Sequence, residues 1–83
     1  MSMKRYYFHI RDEGGTVLDE EGEEHRSLEE ARQSAVDAIK ELAAARIRTG
    51  EVIGNTFLDV CDETDAVLKS ISFRQVIEEQ LKR

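Results

Sequence analysis

Two serine-based capping motifs divide this sequence into similar halves. Ser27 is followed three residues later by Glu30, and Ser72 by Gln75. In such a capping box the serine hydroxyl accepts a hydrogen bond from a free backbone amide of the first helical turn, and the glutamate or glutamine reaches back to the amide of the serine. Two short segments of strand-like composition precede each serine. The sequence therefore predicts the element order β-β-α-β-β-α.

Alternating side chains identify the strands. The opening segment 4–11 (KRYYFHIR) alternates, and the turn residues DEGG lead into a return strand over 16–19, as in a hairpin. A second pair of strands covers 55–61 and 67–72, joined by the turn-like DETD. Residues 20–26 (EEGEEHR) are polar and mostly acidic, which favours a solvated loop between the first hairpin and the first helix.

Apolar spacing defines the helices. The first is predicted over 28–49, ending before Gly50, and the second begins at Phe73. The apolar positions of the first helix fall three or four residues apart: Leu28, Ala31, Ala35, Ala38, Ile39, Leu42 and Ala43. Because most of them are alanines, the larger core side chains must come from the strands. The predicted fold is a single two-layer α+β domain over residues 1–83, in which a mostly antiparallel sheet of four strands carries the long helix across one face and a short C-terminal helix follows.

The length and charge of the chain bear on its partners. A domain of 83 residues buries only about 60–65% of the surface that its unfolded chain exposes, so its stability is marginal and self-association is expected. Twelve basic residues stand against 18 acidic ones, and the net charge of −6 opposes a sequence-independent grip on phosphates. No nucleic acid partner is predicted, and an unidentified protein partner is expected to be basic.

Cysteine content and the lack of long apolar runs indicate a cytoplasmic protein. Cys61 is the single cysteine, so no internal disulfide can form. No stretch resembles the apolar core of a signal peptide or approaches the ~20 apolar residues of a membrane span. We therefore expect a reduced, cytoplasmic protein with no membrane partner.

The opening strand carries aromatic side chains on both of its sides. Strand alternation directs one set of residues toward the long helix: Tyr6, Phe8, Ile10, Leu58 and Val60. The other set faces away from the helix: Tyr7, His9, Arg11, Phe57, Asp59 and Cys61. Because so short a chain has few residues left to cover this second face, we expect it to be exposed or shared, and its Tyr, Phe and Arg content is typical of interfaces. An alternative remains open, in which Tyr7 and Phe57 are a simple cross-strand packing pair. In that case Arg11 forms an ion pair with Asp59.

Two classes of function are consistent with the second face. The first, which we predict, is a non-catalytic protein-interaction module that self-associates as a homodimer through an exposed sheet face or edge. Its candidate binding residues are Tyr7, His9, Arg11, Phe57 and Asp59. The second class is a small-ligand-binding or enzymatic module that uses His9, Asp59 and Cys61, since a base, a carboxylate and a thiol are the parts of a cysteine nucleophile.

Catalysis and metal binding have little support in the sequence. Cys61 lies in a strand rather than at a helix N-terminus, and no glycine-rich turn beside it offers oxyanion donors. His9, His25 and Cys61 are dispersed and lack the short spacing of metal ligands. We therefore predict no catalytic residue, no metal and no cofactor. A concave pocket lined by His9 and its neighbours would favour the ligand-binding class, whereas a flat face buried against a second copy would favour the interaction class.

The chain also resembles a family of short alphaproteobacterial proteins that is classed only as a domain of unknown function. In that family the opening usually reads R-Y-F-F-H-[VI]-R-D-G and the tail D-E-x-G-x-x-L-x-x-x-P-F. The matching features of this chain are RYYFHIRD, Asp19, Gly22, Leu28, Ala31, Arg32, Val60, Asp62, Glu63 and Phe73. It departs from the pattern at Asp65-Ala66, where a turn glycine is expected, and at Ser72, where a proline is expected. The resemblance implies no activity, cofactor or partner. In its element types the chain is also similar to small partner proteins such as HicB-type antitoxins, which is an analogy of fold alone.

Overall fold

Within residues 2–82, which a computed structural model describes, an antiparallel sheet of five strands forms one layer and two helices form the other. The elements in chain order are β1 (Lys4–Asp12), β2 (Gly15–Val17), β3 (Glu23–His25), α1 (Leu28–Arg48), β4 (Phe57–Cys61), β5 (Val67–Ser72) and α2 (Phe73–Leu81). The predicted α+β fold is confirmed, with one strand more than the four predicted.

β1 is an interior strand of the sheet. The main strand order is β2-β1-β4-β5. One edge of β1 pairs with β4 along residues 7–11, and the other edge is shared by β2, which pairs with residues 10–12, and β3, which pairs with residues 4–6. Between those two short partners, the Phe8 amide donates to the carboxylate of Asp19 at 3.0 Å. The outer edge of β1 is therefore occupied along its length by two short strands and one side chain.

The acidic segment 20–26 was predicted to be a loop, and this prediction was wrong because the segment contains β3. Glu23 pairs with Tyr6 of β1, so the strand character comes from a remote partner rather than from local composition. Gly22 precedes β3 with a φ of 72°. A Cβ atom at this position would lie 2.8 Å from the carbonyl oxygen of Tyr6. Glycine is required here because the loop approaches the backbone of β1 so closely.

The remaining strand boundaries differ from the predictions by small amounts. β2 ends at Val17, earlier than predicted, and Asp19 lies in the loop, where its carboxylate accepts hydrogen bonds from the Glu21 and Gly22 amides. β4 begins at Phe57 rather than at residue 55, and β5 covers the predicted residues 67–72.

Both helices begin where the capping boxes predict. The Ser27 hydroxyl accepts from the Glu30 amide at 3.2 Å, and the Ser72 hydroxyl accepts from the Gln75 amide at 3.2 Å. The first box differs in one detail, since the Glu30 carboxylate accepts from the amide of Arg26 instead of the amide of Ser27. α1 ends one residue earlier than predicted, with Thr49 as its C-cap.

The core lies between α1 and the helix-facing side of the sheet. Its buried members are Tyr6, Ala31, Ala35, Ile39, Ala43, Leu58, Val60, Phe73 and Val76, with Phe8 and Ile10 packed against them. Three of the four buried residues of α1 are alanines, so the helix lies close on the sheet. The strands supply large core side chains, as predicted, and α2 adds Phe73 and Val76, which was not predicted. Leu42, predicted to belong to the buried stripe, is 42% exposed. Across residues 2–82, neither helix combines the length and apolarity that a membrane crossing requires.

Candidate functional site

The pairing of β1 with β4 brings the predicted interaction residues together. Directly opposed residues of an antiparallel pair share one face of the sheet. The opposed pairs are Tyr7 with Cys61, His9 with Asp59, and Arg11 with Phe57. Their alternate neighbours Leu58 and Val60 are fully buried in the core beneath α1. The six paired residues therefore lie on the other side of the sheet, and we call this surface the helix-free face.

Arg11 and Asp59 form a bidentate ion pair at the centre of the helix-free face. The Arg11 Nε and Nη2 atoms donate to the two carboxylate oxygens of Asp59 at 2.8 and 3.1 Å, and the Ser70 hydroxyl of β5 donates to the same carboxylate at 2.6 Å. Hydrogen bonding from Arg11, aided by Ser70, holds the pKa of Asp59 below its ordinary value despite the opposing effect of burial. The guanidinium carbon lies 4.6 Å from the ring centroid of Phe57. The ion pair considered as an alternative in the sequence is thus present. The other part of that alternative, a cross-strand pair of Tyr7 with Phe57, was wrong, because Tyr7 is opposite Cys61 and Phe57 is opposite Arg11.

His9 lies under the loop that follows β2. Its Nδ1 atom accepts from the Asp19 amide at 3.0 Å, so the neutral ring carries its proton on Nε2. The Nε2 atom is 3.9 Å from the Asp65 carboxylate. The ring stacks on Tyr7, with 6.4 Å between centroids. The His9 side chain is only 13% exposed, which makes it a supporting residue of the face rather than a freely accessible one.

Asp19 organises this loop through both of its carboxylate oxygens. One oxygen accepts from the Phe8 amide of β1, and the other accepts from the Glu21 and Gly22 amides at 3.2 and 3.1 Å. Burial acts to raise the pKa of Asp19, but these amides and the nearby His9 ring outweigh it, so the pKa lies below its ordinary value. The Asp19 carboxylate thereby fastens the loop to the edge of β1.

Cys61 is buried, although its strand position puts it on the helix-free face. The residue is 2% exposed, and its Sγ atom is 3.9 Å from the carbonyl oxygen of Asp59. Burial and the neighbouring carboxylates of Asp59, Asp65 and Asp62 raise the pKa of the thiol. The expectation that Cys61 adds to an exposed patch was wrong, and Asp59, which is 8% exposed, is buried as well. A thiol with a raised pKa is a poor nucleophile because the thiolate is the reactive form.

Three clefts among the described residues lie away from His9 and Cys61. The largest of these three has a volume of about 550 Å³ and lies between α1, β5 and α2. Two smaller ones, of about 250 and 210 Å³, lie beside the β1–β2 turn and between the C-terminal parts of the two helices. None of these three is lined by the helix-free face residues. Within residues 2–82, no group of three or more His, Cys, Asp or Glu side chains is arranged to hold a metal ion.

Sequence reasoning missed two residues that shape the face, Asp19 and Ser70. Asp19 had a local signal, since an aspartate three residues before Gly22 is typical of a side chain that caps a turn. The only sequence signal for Ser70 was its place in the alternating pattern of β5. Its partner Asp59 becomes evident once β4 and β5 are paired. No sequence pattern indicated the cleft beside β5, because the residues that line it come from three separate elements.

The residues that form this face fall within a recognised family. A family model for a domain of unknown function, DUF6894, matches residues 5–74. The chain belongs to the DUF6894 family. The resemblance to a domain of unknown function is therefore confirmed. The DUF6894 match runs from β1 to the first turn of α2, so it includes every residue of the helix-free face. Neither a search of curated proteins nor a search of solved structures found a similar protein.

Proposed function

We propose that this DUF6894 protein is a non-catalytic interaction module that forms a homodimer through its helix-free face. The observation that carries the proposal is a sheet with helices on one side only, in a molecule whose principal extents are 41 × 32 × 17 Å. The accessible surface is 5875 Å². A compact monomer of this mass, 9.5 kDa, exposes about 5,050 Å². The excess of about 800 Å² reflects the flat shape of the molecule, and its size is similar to the area that one partner buries in an interface of ordinary size.

The chemistry of the helix-free face favours burial against a second copy. Tyr7 and Phe57 are half-buried, so each has aromatic surface left to cover. The charge of Arg11 is paired with Asp59, and the hydrogen bonds of that carboxylate are made within the chain. Covering the face therefore leaves no unpaired charge. An unpaired charge would be the main penalty of burying polar groups at an interface. A two-fold contact needs only this one self-complementary surface.

The oligomeric state tests the proposal. Light scattering after gel filtration is expected to give the wild-type chain twice its mass of 9.5 kDa. Tyr7→Glu combined with Phe57→Glu places two charges in the contact and is expected to give a folded monomer. A matched control is Val17→Glu combined with Val52→Glu, two residues that are 71% and 85% exposed and lie off the face. This control should remain a dimer.

Circular dichroism establishes whether each variant is folded, and Tyr7→Ser serves as a milder variant if the double one unfolds. A wild-type chain that stays monomeric at millimolar concentration contradicts the proposal. Dissociation of the Val17 and Val52 control would contradict it as well, because the effect would then not be specific to the face.

We propose the cytoplasm of an alphaproteobacterium as the setting of this module. The resemblance in the opening and tail motifs supports the source, and the free, buried thiol of Cys61 supports a reducing compartment. The net charge of −6 supports a role without nucleic acid binding. Gel-shift titration with duplex DNA tests the last point, and tight binding that weakens steeply with salt would contradict it.

A further inference from the structure

The two outer edges of the sheet differ in how they are protected. The outer edge of β1 is occupied by β2, β3 and the Asp19 carboxylate. Among the described residues, β5 pairs with β4 alone, so the backbone groups along its other edge have no strand partner. A register irregularity opposite Val60 and Cys61 interrupts the start of β5, and the regular part of this free edge is residues 69–72. Val67 and Leu68 of β5 are 56% and 38% exposed. Natural sheets cover or interrupt such an edge, because a long unpaired strand is a template for another strand.

A cleft lies beside this free edge, on the helix side of the sheet. α2 has nine residues against the 21 of α1, so it covers only part of the flank of α1. The space of about 550 Å³ that remains is bounded by α1, β5 and α2. Its apolar lining comes from Val36, Ile71 and Val76, one residue from each element. The helical layer above β5 is therefore incomplete.

The charge of the cleft is opposite to that of the whole protein. Three basic residues line it, Arg32, Lys40 and Lys69, against one acidic residue, Glu79. Arg32 is held by Glu29, with its Nη2 atom 2.7 Å from a carboxylate oxygen. Lys40 and Lys69 form no ion pair within 4.0 Å in the described part of the chain, although Arg32 and, to a lesser degree, Lys69 lower the pKa of Glu29. In a chain with a net charge of −6, this cleft is a local site for negative charge.

We propose that the β5 edge and the adjoining cleft bind an extended acidic segment of another protein by strand addition. The backbone of the segment pairs with the free edge of β5. Side chains alternate along a strand, so every second residue of the segment faces the helix side, beside Lys69 and Ile71. Acidic side chains there meet Lys40 and Lys69, and apolar ones meet the lining at Val36. This partner chemistry reverses the expectation of a basic partner, which was drawn from the overall charge.

The cleft lies on the opposite side of the sheet from the helix-free face, and only Ser70 borders both. The two proposals can therefore fail independently. The test uses the full 83-residue chain labelled with ¹⁵N and two capped heptapeptides. One is Ser-Glu-Ser-Val-Ser-Glu-Ser, which places Glu and Val on the same side of a strand, and the other has Lys in place of each Glu. The acidic peptide is expected to cause saturable shifts in the backbone amides of residues 67–72 and in the cleft, and to slow hydrogen exchange along β5. The basic peptide is expected to cause neither effect. Light scattering of the same samples reports self-association separately.

Charge reversal provides the matched comparison. Lys40→Glu combined with Lys69→Glu is expected to weaken binding of the acidic peptide by about tenfold. Lys4→Glu combined with Arg26→Glu makes the same change in net charge at exposed positions near β3 and should leave binding unchanged. Chemical-shift changes that are confined to the cleft and absent from the β5 amides would indicate a site for small anions. That result overturns the proposal. Equal binding of both peptides, shifts centred on the helix-free face, or no binding at millimolar peptide overturn it as well.

Discussion

Replacing Asp19 with alanine tests the loop that closes over β1. The wild-type carboxylate accepts from three backbone amides, those of Phe8, Glu21 and Gly22. In Asp19→Ala the Phe8 amide loses its acceptor on the edge of β1, between β2 and β3, where no strand carbonyl replaces it. The loop above His9 loses its carboxylate attachment at the same time and keeps only the hydrogen bonds made by its backbone, such as the one from the residue 19 amide to His9 Nδ1.

The expected loss of stability follows from the burial of these amides. The Phe8 hydrogen bond is partly buried and charge-assisted, and an unsatisfied buried amide costs about 1–3 kcal/mol. The Glu21 amide is exposed and regains water as a partner, so it adds little. The Gly22 amide is partly buried and adds about 1 kcal/mol. We expect Asp19→Ala to lower the free energy of unfolding by about 2–4 kcal/mol in total. A domain of this size has only about 4–12 kcal/mol of stability, so the change is a large fraction of it.

Urea denaturation followed by circular dichroism measures the loss, and hydrogen exchange of the Phe8 amide locates it. A matched control is Asp12→Ala, because the Asp12 carboxylate accepts from one exposed amide, that of Gly14. This control should cost less than about 1 kcal/mol. If Asp19→Ala unfolds at the same urea concentration as Asp12→Ala, or if exchange at Phe8 does not change, Asp19 does not secure this edge.

Two further predictions concern the ion pair and the first helix. The folded-state pKa of Asp59 is lowered. The stability that its charge confers is therefore complete above the ordinary carboxyl pKa of about 3.9, and it is lost as the pH falls through the folded-state pKa. The difference in unfolding free energy between wild type and Asp59→Asn should therefore shrink as the pH is lowered below about 4, and a difference that is constant from pH 7 to pH 3 would contradict the role of the ion pair. Ser27→Ala should lower the unfolding free energy by ~1 kcal/mol through loss of the N-cap, and an unchanged denaturation midpoint would count against the assigned start of α1.

Much of the fold was predictable because its signals are local. A capping box is complete within four residues, so Ser27 and Ser72 fixed both helix starts without knowledge of the sheet. Alternation within β1 and β4 was equally local, and it assigned Tyr6 and Tyr7 to opposite sides correctly. The alanine stripe of α1 likewise indicated a helix packed closely on strands.

The misassigned features depend on contacts between distant residues. β3 is polar, and only its pairing with β1 and the close approach at Gly22 make it a strand. Alternation placed Cys61 on the correct face of the sheet. It does not predict whether the side chain is buried, because burial depends on residues that are distant in sequence. The cleft beside β5 lies where α2, which is shorter than α1, leaves part of the sheet uncovered. This difference in helix length cannot be read from any single segment of the sequence.

The interior position of β1 also bears on how the chain folds. Arg11 and Asp59, which join β1 to β4, are 48 residues apart in sequence. The β1–β2 and β4–β5 hairpins close short loops and can form early, whereas the β1–β4 ladder must close a long loop that includes all of α1. Tyr6 lies in β1 and Val60 in β4, and both belong to the core that forms when this ladder joins the two halves. The rate-limiting step of folding is therefore expected to be the docking of the two hairpins, with a transition state that is sensitive to Leu58 and insensitive to the tip of either turn.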